Sequence, residues 1–267
     1  MKHVLTIAGS DSGGGAGIQA DIKTMCALGV FAMSVITAVT AQNTMEVSRV
    51  QEVAPEMVKA QMKMVFDDIR VDAVKIGMVS SRAIIETIAE TLREFKVKNI
   101  VLDPVMVSKS GYRLLQPEAE SAIPALLAVS TLVTPNLMEA EILAGMPVNS
   151  EVDMRLAASR IAARGIAHVL VKGGHGTGPE AVDVLFTQGE FKTFSVPRQM
   201  TGEIHGSGCA LSSAIASFIA CGYSVPEAIG RAKQYITNGI EHMYRVGKGS
   251  GTVGHLWQLY QDAGLDV

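Results

Sequence analysis

Gly206-Ser207-Gly208-Cys209-Ala210-Leu211-Ser212 is the stretch of this sequence best suited to chemistry. Two glycines open an amphipathic run in which Leu211, Ile215 and Phe218 share a face. Glycine lets backbone amides converge with no Cβ in the way. A helix N-terminus adds unpaired N–H groups and the positive end of its dipole. Together they form an anion cradle suited to phosphate. Cys209 stands in the first turn, where a thiol pKa is usually lowered. The alternative is a small cysteine packed into a tight helix start. Cys26 and Cys221 lie on or at the end of apolar helices and read as packing.

Three further groups carry charge or metal-binding capacity. Asn136 and Glu139 stand three residues apart, on one helix face. An amide and a carboxylate so placed can hold a hydrated Mg²⁺, which takes few protein oxygens and several waters. They can equally form an N-terminal capping box. Asp103 leaves an apolar run just before Pro104 and is expected exposed at a rim. Lys172 ends another run before Gly173-Gly174, where a cation can meet phosphate as a point charge. A Walker A loop is absent: Gly247-Lys248-Gly249 does not supply its spacing. Gly13-Gly14-Gly15-Ala16-Gly17 misses the dinucleotide fingerprint by register. The six histidines show no ligand spacing, so no zinc site is assigned.

Parallel strands and packed helices are the elements that position such groups. Val4 to Ala8, Ser34 to Thr40, Ala73 to Ile76, Ile100 to Leu102, Leu132 to Thr134 and His168 to Val171 read as buried strands. Between them lie helical patterns: Ile18, Ile22 and Met25 on one face, then Pro55 to Ile69, Arg82 to Phe95, Pro117 to Ala128, Leu137 to Ala144 and Asp153 to Ala163. Ala181 to Thr187 and Glu190 to Val196, joined by Gln188-Gly189, look like a hairpin. Helices over Gly208 to Ala220, Val225 to His242 and Gly254 to Ala263 follow. The rhythm predicts a three-layer α/β/α sandwich, a mostly parallel central sheet with antiparallel edge strands, in one domain over 1–267. In such sheets ligands sit beyond the carboxyl ends of the strands. Six strand exits there carry glycine or polar residues: 9–17, 42–44, 75–78, 103–105, 134–136 and 172–174.

Composition agrees. The chain has 267 residues, with 23 Lys and Arg against 26 Asp and Glu. A net charge of −3 argues against an electrostatic nucleic-acid binder. A charged fraction of 18% argues against disorder. No apolar run reaches the roughly 18 residues of a membrane span, and the N-terminus lacks a signal pattern. Three cysteines do not make a disulfide framework, so a reducing cytoplasm is expected.

Taken in order, several stretches carry a resemblance. They are Ala8-Gly9-Ser10-Asp11-Ser12-Gly13-Gly14-Gly15-Ala16-Gly17-Ile18-Gln19-Ala20-Asp21, the run from Ser34 to Thr44, Lys75-Ile76-Gly77-Met78, Asp103-Pro104-Val105-Met106, Thr134-Pro135-Asn136, Lys172-Gly173-Gly174-His175 and His205-Gly206-Ser207-Gly208-Cys209. As a set they closely resemble the hydroxymethylpyrimidine/phosphomethylpyrimidine kinases of thiamine biosynthesis, members of the ribokinase-like superfamily. The resemblance implies ATP-dependent phosphorylation of 4-amino-5-hydroxymethyl-2-methylpyrimidine and then of its monophosphate, with Mg²⁺ and usually as a homodimer. It implies that Gln42 reads the aminopyrimidine edge, with Gly9, Ala16, Met78 and Val105 lining that pocket. It implies that Asn136, Lys172 and Ser207 serve ATP, with Glu139 and Asp103 at the metal. Gly206, Gly208 and Cys209 would be the anion hole, joined in catalysis by Lys172. On physical grounds a Cys209 thiolate could accept the hydroxymethyl proton, or, since a loose transition state needs no strong base, the thiol is a pocket wall. The chain departs from the family pattern at Gly202-Glu203-Ile204. Ser207 also replaces the commoner threonine and keeps its hydroxyl.

Three competing readings stand beside this one. A pyridoxal kinase of the same branch takes a similar planar hydroxymethyl substrate. A thiol hydrolase would pair Cys209 with His205 or His175, but Cys209 lacks the usual nucleophile elbow. A silent pyrimidine-binding protein would have lost Asn136, Lys172 or Cys209, and none is lost. Ser108-Lys109-Ser110-Gly111 is placed to act as a closing flap.

Overall fold

The computed structural model describes residues 1–108, 111–174, 178–199 and 204–265. Buried apolar runs become strands, and the amphipathic stretches between them become helices. In chain order these are β1 (His3–Asp11), α1 (Gly17–Ala27), β2 (Phe31–Gln42), β3 (Val47–Glu52), α2 (Pro55–Asp68), β4 (Ala73–Ile76), α3 (Arg82–Glu94) and β5 (Ile100–Leu102). A 3₁₀ segment (Pro117–Ala122) then leads into α4 (Ile123–Leu127), β6 (Leu132–Val133), α5 (Leu137–Ala144), α6 (Glu151–Ala162), β7 (His168–Lys172), β8 (Glu180–Thr187) and β9 (Glu190–Pro197). The chain closes with β10 (Ile204–His205), α7 (Ser207–Ala220), α8 (Val225–Glu241), β11 (Gly251–Thr252) and α9 (Trp257–Asp262).

Among the described residues, nine strands form one sheet in the order β3-β2-β1-β4-β5-β6-β7-β8-β9. The pairs from β2 through β7 are parallel. The edges, β2–β3 and β7–β8–β9, are antiparallel. Successive side chains on a strand point to opposite faces. Ile100 and Leu102 therefore pack with α2 to α6, while Val101 between them packs with α1, α7 and α8. These two layers around the sheet make the expected sandwich. Among the described residues no helix is long and apolar enough to cross a membrane.

The structure differs from the sequence expectation in four places. β3 was not expected: only Val47 in it is buried, so its alternation carries no signal. The single helix expected over Pro117 to Ala128 is a 3₁₀ turn followed by α4, because Pro124 has no N–H to continue the ladder. The last helix begins at Trp257 rather than Gly254, where a Cβ would stand 2.0 Å from the His242 carbonyl oxygen. The short parallel pair β10–β11 spans two residues each and has no readable period.

The strand order reverses at β1, with β2 on one side and β4 on the other. Such a switch point opens a crevice at the carboxyl ends of the strands. The loop leaving β1 and the start of α7 meet there.

Candidate active site

The loop after β1 folds around its own carboxylate. Asp11 accepts from the amides of Gly13 at 2.8 Å, Gly15 at 3.0 Å and Ala16 at 2.8 Å. Burial works against ionisation of Asp11, but these amides and His205 outweigh it and hold its carboxyl below the usual range. The loop then lies directly on the start of α7. Gly206 has φ +78°, and a Cβ there would stand 1.9 Å from the Gly15 carbonyl oxygen. Gly17, at φ +56°, would put a Cβ 2.3 Å from the Gly9 carbonyl oxygen. Both contacts require glycine. The amides of the first turn of α7 begin immediately after Gly206 and have no intrahelical partner.

On the other side of that turn stands a buried charge pair. Lys172 Nζ donates to Asp103 Oδ1 at 2.7 Å. Thr134 and Ser212 donate to Asp103 at 3.3 Å each. Asp103 is 2% exposed, which corrects its expected place at an open rim. The neighbouring elements cover it, and Lys172 compensates its charge. Burial opposes the ionised state of Asp103, but Lys172 and Lys75 hold its carboxyl low. Lys172 likewise is no solvated strand end: burial disfavours its charge, yet Asp103 and Glu139 raise its pKa. A Cβ on Gly208 would lie 3.4 Å from Lys172 Nζ, so the cation sits against the helix start.

Asn136 and Glu139 form a capping box at α5. Asn136 Oδ1 accepts from the Glu139 amide at 3.0 Å, and Glu139 Oε2 from the Asn136 amide at 2.8 Å. Burial pushes the Glu139 carboxyl up to about 7, with Lys172 pulling it down and Asp103 pushing it further up. Two carboxylates thus share one lysine.

Cys209 overturns one expectation. Its pKa is raised to about 11, not lowered, because burial outweighs the pull of Lys75 and because Asp21 and Asp103 add negative charge. The thiol is neutral at physiological pH. His205 turns Nε2 toward Gln42 at 2.7 Å and Asp11 at 3.3 Å. A neutral thiol and a histidine committed elsewhere do not make a hydrolase dyad. His175, residues 202–203 and residues 109–110 of the expected flap lie outside the described residues.

Beneath α7 runs a second ion pair that the sequence did not reveal as such. Lys75 and Asp21 are both fully buried, with Lys75 Nζ 2.8 Å from each carboxylate oxygen. Thr6 donates to Asp21 at 2.6 Å and Ser213 at 2.7 Å. A lysine within the apolar run 73–76 is itself the signal, since a buried ammonium demands a partner. A third pair joins Lys233 Nζ to Asp183 at 2.5 Å, and Asp183 also accepts from the Gly173 amide at 2.9 Å. Nothing in the spacing of residues 183 and 233 announces it.

The Asp11 loop, the Lys172–Asp103 and Lys233–Asp183 pairs, the α5 capping box and the start of α7 open on one cavity of about 750 Å³. Gly9, Ala16, Gln42, Met78 and Val105 line one part of it. Asp103, Asn136, Glu139, Lys172, Gly206, Ser207, Gly208 and Cys209 line the rest. Every site residue expected from the sequence therefore faces the same space. Its size suits a small heterocycle with a nucleotide. Its hydrogen-bonding groups divide into an amide that can read a ring edge and a positive cradle that can hold phosphate.

Comparison with known proteins gives this geometry a family. The phosphomethylpyrimidine kinase family model matches residues 11–254. A hydroxymethylpyrimidine/phosphomethylpyrimidine kinase of Streptomyces coelicolor is 49% identical over 257 residues, covering 96% of this chain and 95% of that one. The thiamine biosynthesis bifunctional protein ThiED of Geobacter sulfurreducens is 47% identical over 95% of this chain. This chain spans only 52% of that longer protein. The crystal structure of an ADP complex of Bacillus subtilis pyridoxal kinase superposes with a TM-score of 0.89 at 38% identity, covering 96% of this chain and 97% of that one. With its mostly parallel sheet, its ribokinase-like neighbours and its cavity at the start of α7, the chain belongs to the phosphomethylpyrimidine kinase family of ATP-using phosphotransferases.

Proposed function

We propose that this protein transfers the γ-phosphoryl group of ATP to the hydroxymethyl oxygen of 4-amino-5-hydroxymethyl-2-methylpyrimidine, and then phosphorylates the monophosphate to the diphosphate, in thiamine biosynthesis. One observation carries the reading: Gln42 and the phosphate cradle at Gly206 to Cys209 line the same cavity. Gln42 meets the amino edge of the ring, and Gly9, Ala16, Met78 and Val105 close around its faces. Asn136, Ser207 and Lys172 hold ATP.

Phosphoryl transfer asks mainly for positioning and charge neutralisation. The hydroxymethyl oxygen attacks the γ-phosphorus as the bond to the ADP oxygen breaks. The amides at the start of α7 and Lys172 Nζ face the charge that spreads over the phosphoryl oxygens. The hydroxyl proton leaves late in a loose transition state and passes to an oxygen of the transferred phosphoryl group or to solvent, so no strong base is required. Cys209 keeps its own proton on Sγ and serves as the wall against which the hydroxymethyl group is set.

The donor set also fits Mg²⁺. Asp103 and Glu139 are hard oxygen ligands, and Asp103 helps push the Glu139 carboxyl up to about 7, so a cation between them would relieve their repulsion. Mg²⁺ held there with Asn136 nearby would neutralise phosphate oxygens of ATP.

We further propose that residues 1–267 act as one kinase domain, cytoplasmic and homodimeric. Unpaired Cys26, Cys209 and Cys221 support the reducing compartment. Exposed Phe31, Val39 and Met45 along the β2–β3 edge support self-association, which sedimentation would read. The pyridoxal kinase reading keeps one specific support, the 0.89 superposition. ATP consumption with product mass on hydroxymethylpyrimidine, its monophosphate and pyridoxal separates the two. Product from pyridoxal alone would move the protein to that branch.

A further inference from the structure

We propose that His205 is a positioning residue for substrate selection: it fixes which way round Gln42 presents its amide. The inference rests on the aminopyrimidine reading and deepens it. Ser12 Oγ accepts from the Gln42 backbone N–H at 2.9 Å and donates to its carbonyl at 2.7 Å, so the residue's main chain is held. Among the described residues the side-chain amide then has two polar neighbours. Thr40 Oγ1 lies 3.2 Å from Oε1, and His205 Nε2 lies 2.7 Å from Nε2.

These neighbours differ in kind. A hydroxyl both donates and accepts, so Thr40 accommodates the amide either way round and can turn its proton to the Ser10 carbonyl oxygen at 3.0 Å instead. An imidazole nitrogen does only one of the two in a given state. His205 Nε2 accepts when Gln42 turns its nitrogen to it and donates when Gln42 turns its oxygen, so the imidazole tautomer sets the order. This leaves one N–H and one oxygen lone pair of Gln42 for the cavity, in a fixed order. An amino group beside a ring nitrogen offers the matching donor and acceptor, as an adenine edge does to an amide side chain. A reversed amide would demand a reversed ring, which carries the hydroxymethyl group away from the phosphate cradle.

His205 is itself held in place. A Cβ on Gly15 would come within 2.9 Å of its ring, and its backbone pairs with Thr252 in the β10–β11 ladder. Its second contact, Asp11 at 3.3 Å, is the longer one, and Asp11 is already tied to three loop amides.

The test is a double-mutant cycle read by calorimetry. Binding of 4-amino-5-hydroxymethyl-2-methylpyrimidine and, separately, of MgATP is measured on the wild type, Gln42→Ala, His205→Phe and the double variant. Phenylalanine keeps a ring against Gly15 and removes the nitrogen. Each single change should weaken pyrimidine binding about 10-fold or more. The double variant should bind no more weakly than Gln42→Ala, with MgATP affinity unchanged throughout. Should His205→Phe fail to fold, His205→Gln enters the same cycle and should also be silent once Gln42 is alanine. Losses that multiply in the double variant, or a matching loss of MgATP affinity, would overturn the inference, because His205 would then act on the loop and not through Gln42. A wild type that does not bind the pyrimidine would overturn the aminopyrimidine reading itself, and this inference with it.

Discussion

Cys209 shows how far a residue's chemistry depends on what is folded around it. Its place in a first helical turn suggests a lowered thiol pKa, yet burial beside Asp21 and Asp103 raises it to about 11. At pH 7 such a thiol is ionised in roughly one molecule in ten thousand. A general base is worth about 10² to 10⁴ in rate. Cys209→Ala is therefore expected to keep kcat within about tenfold of wild type, below the range of a lost base. A thousandfold loss in the same steady-state assay would restore the thiolate. Lys172→Met should behave differently, lowering kcat by about 100-fold or more, since it removes charge aimed at the phosphoryl group. Lys172 and Cys209 were legible as chemistry, and Gln42 only through the family resemblance. The environment of Cys209 was not, because α1, β4 and β5 bring Asp21, Lys75 and Asp103 to it from distant parts of the chain.

At the level of elements, the site depends on how α7 is seated. Its N-terminal turn faces the cavity, and its next turn carries Ser212 to Asp103 and Ser213 to Asp21. Two buried ion pairs thus set the rotation of the helix that bears the phosphate cradle. Lys75→Met removes the counter-charge of Asp21 and leaves it only the Thr6 and Ser213 hydroxyls, and should cost about 3–5 kcal/mol in urea denaturation. Replacing both partners, with Asp21→Leu added, should recover part of that loss. Gly206→Ala forces a Cβ into the Gly15 carbonyl and should cost both stability and turnover, with the midpoint of urea unfolding and kcat falling together. The parallel strands and amphipathic helices were readable because each carries a full apolar face. β3 and β10 were not, since one buried residue or two-residue length leaves no period to read. Pro124 was visible in the sequence, yet its effect on the ladder shows only once the 3₁₀ turn before it is placed.

For the molecule as a whole, pH exposes what the fold buries. Burial, with Lys23 adding to it, lowers the pKa of His255 from 6.5 to about 4. Between those values the unfolded chain binds a proton there that the native protein refuses. Stability from this group is therefore full above 6.5, declines as pH falls, and levels off below 4, by at most about 3 kcal/mol. Glu139 acts with opposite sign, its raised pKa favouring the native state as pH falls from 7 toward 4.5. The difference between wild type and His255→Phe isolates the histidine: the gap between their melting temperatures should change steadily from pH 6.5 to 4. A constant gap would mean that His255 takes up its proton alike in the native and unfolded states.

The central claim concerns one cavity serving an aminopyrimidine and ATP. Its most direct test is a mass-resolved progress curve with hydroxymethylpyrimidine and MgATP, run on wild type and Gln42→Ala. The account predicts that monophosphate rises and then gives way to diphosphate, and that Gln42→Ala raises KM for the pyrimidine while leaving KM for ATP unchanged. A wild-type curve with no phosphorylated pyrimidine would contradict it.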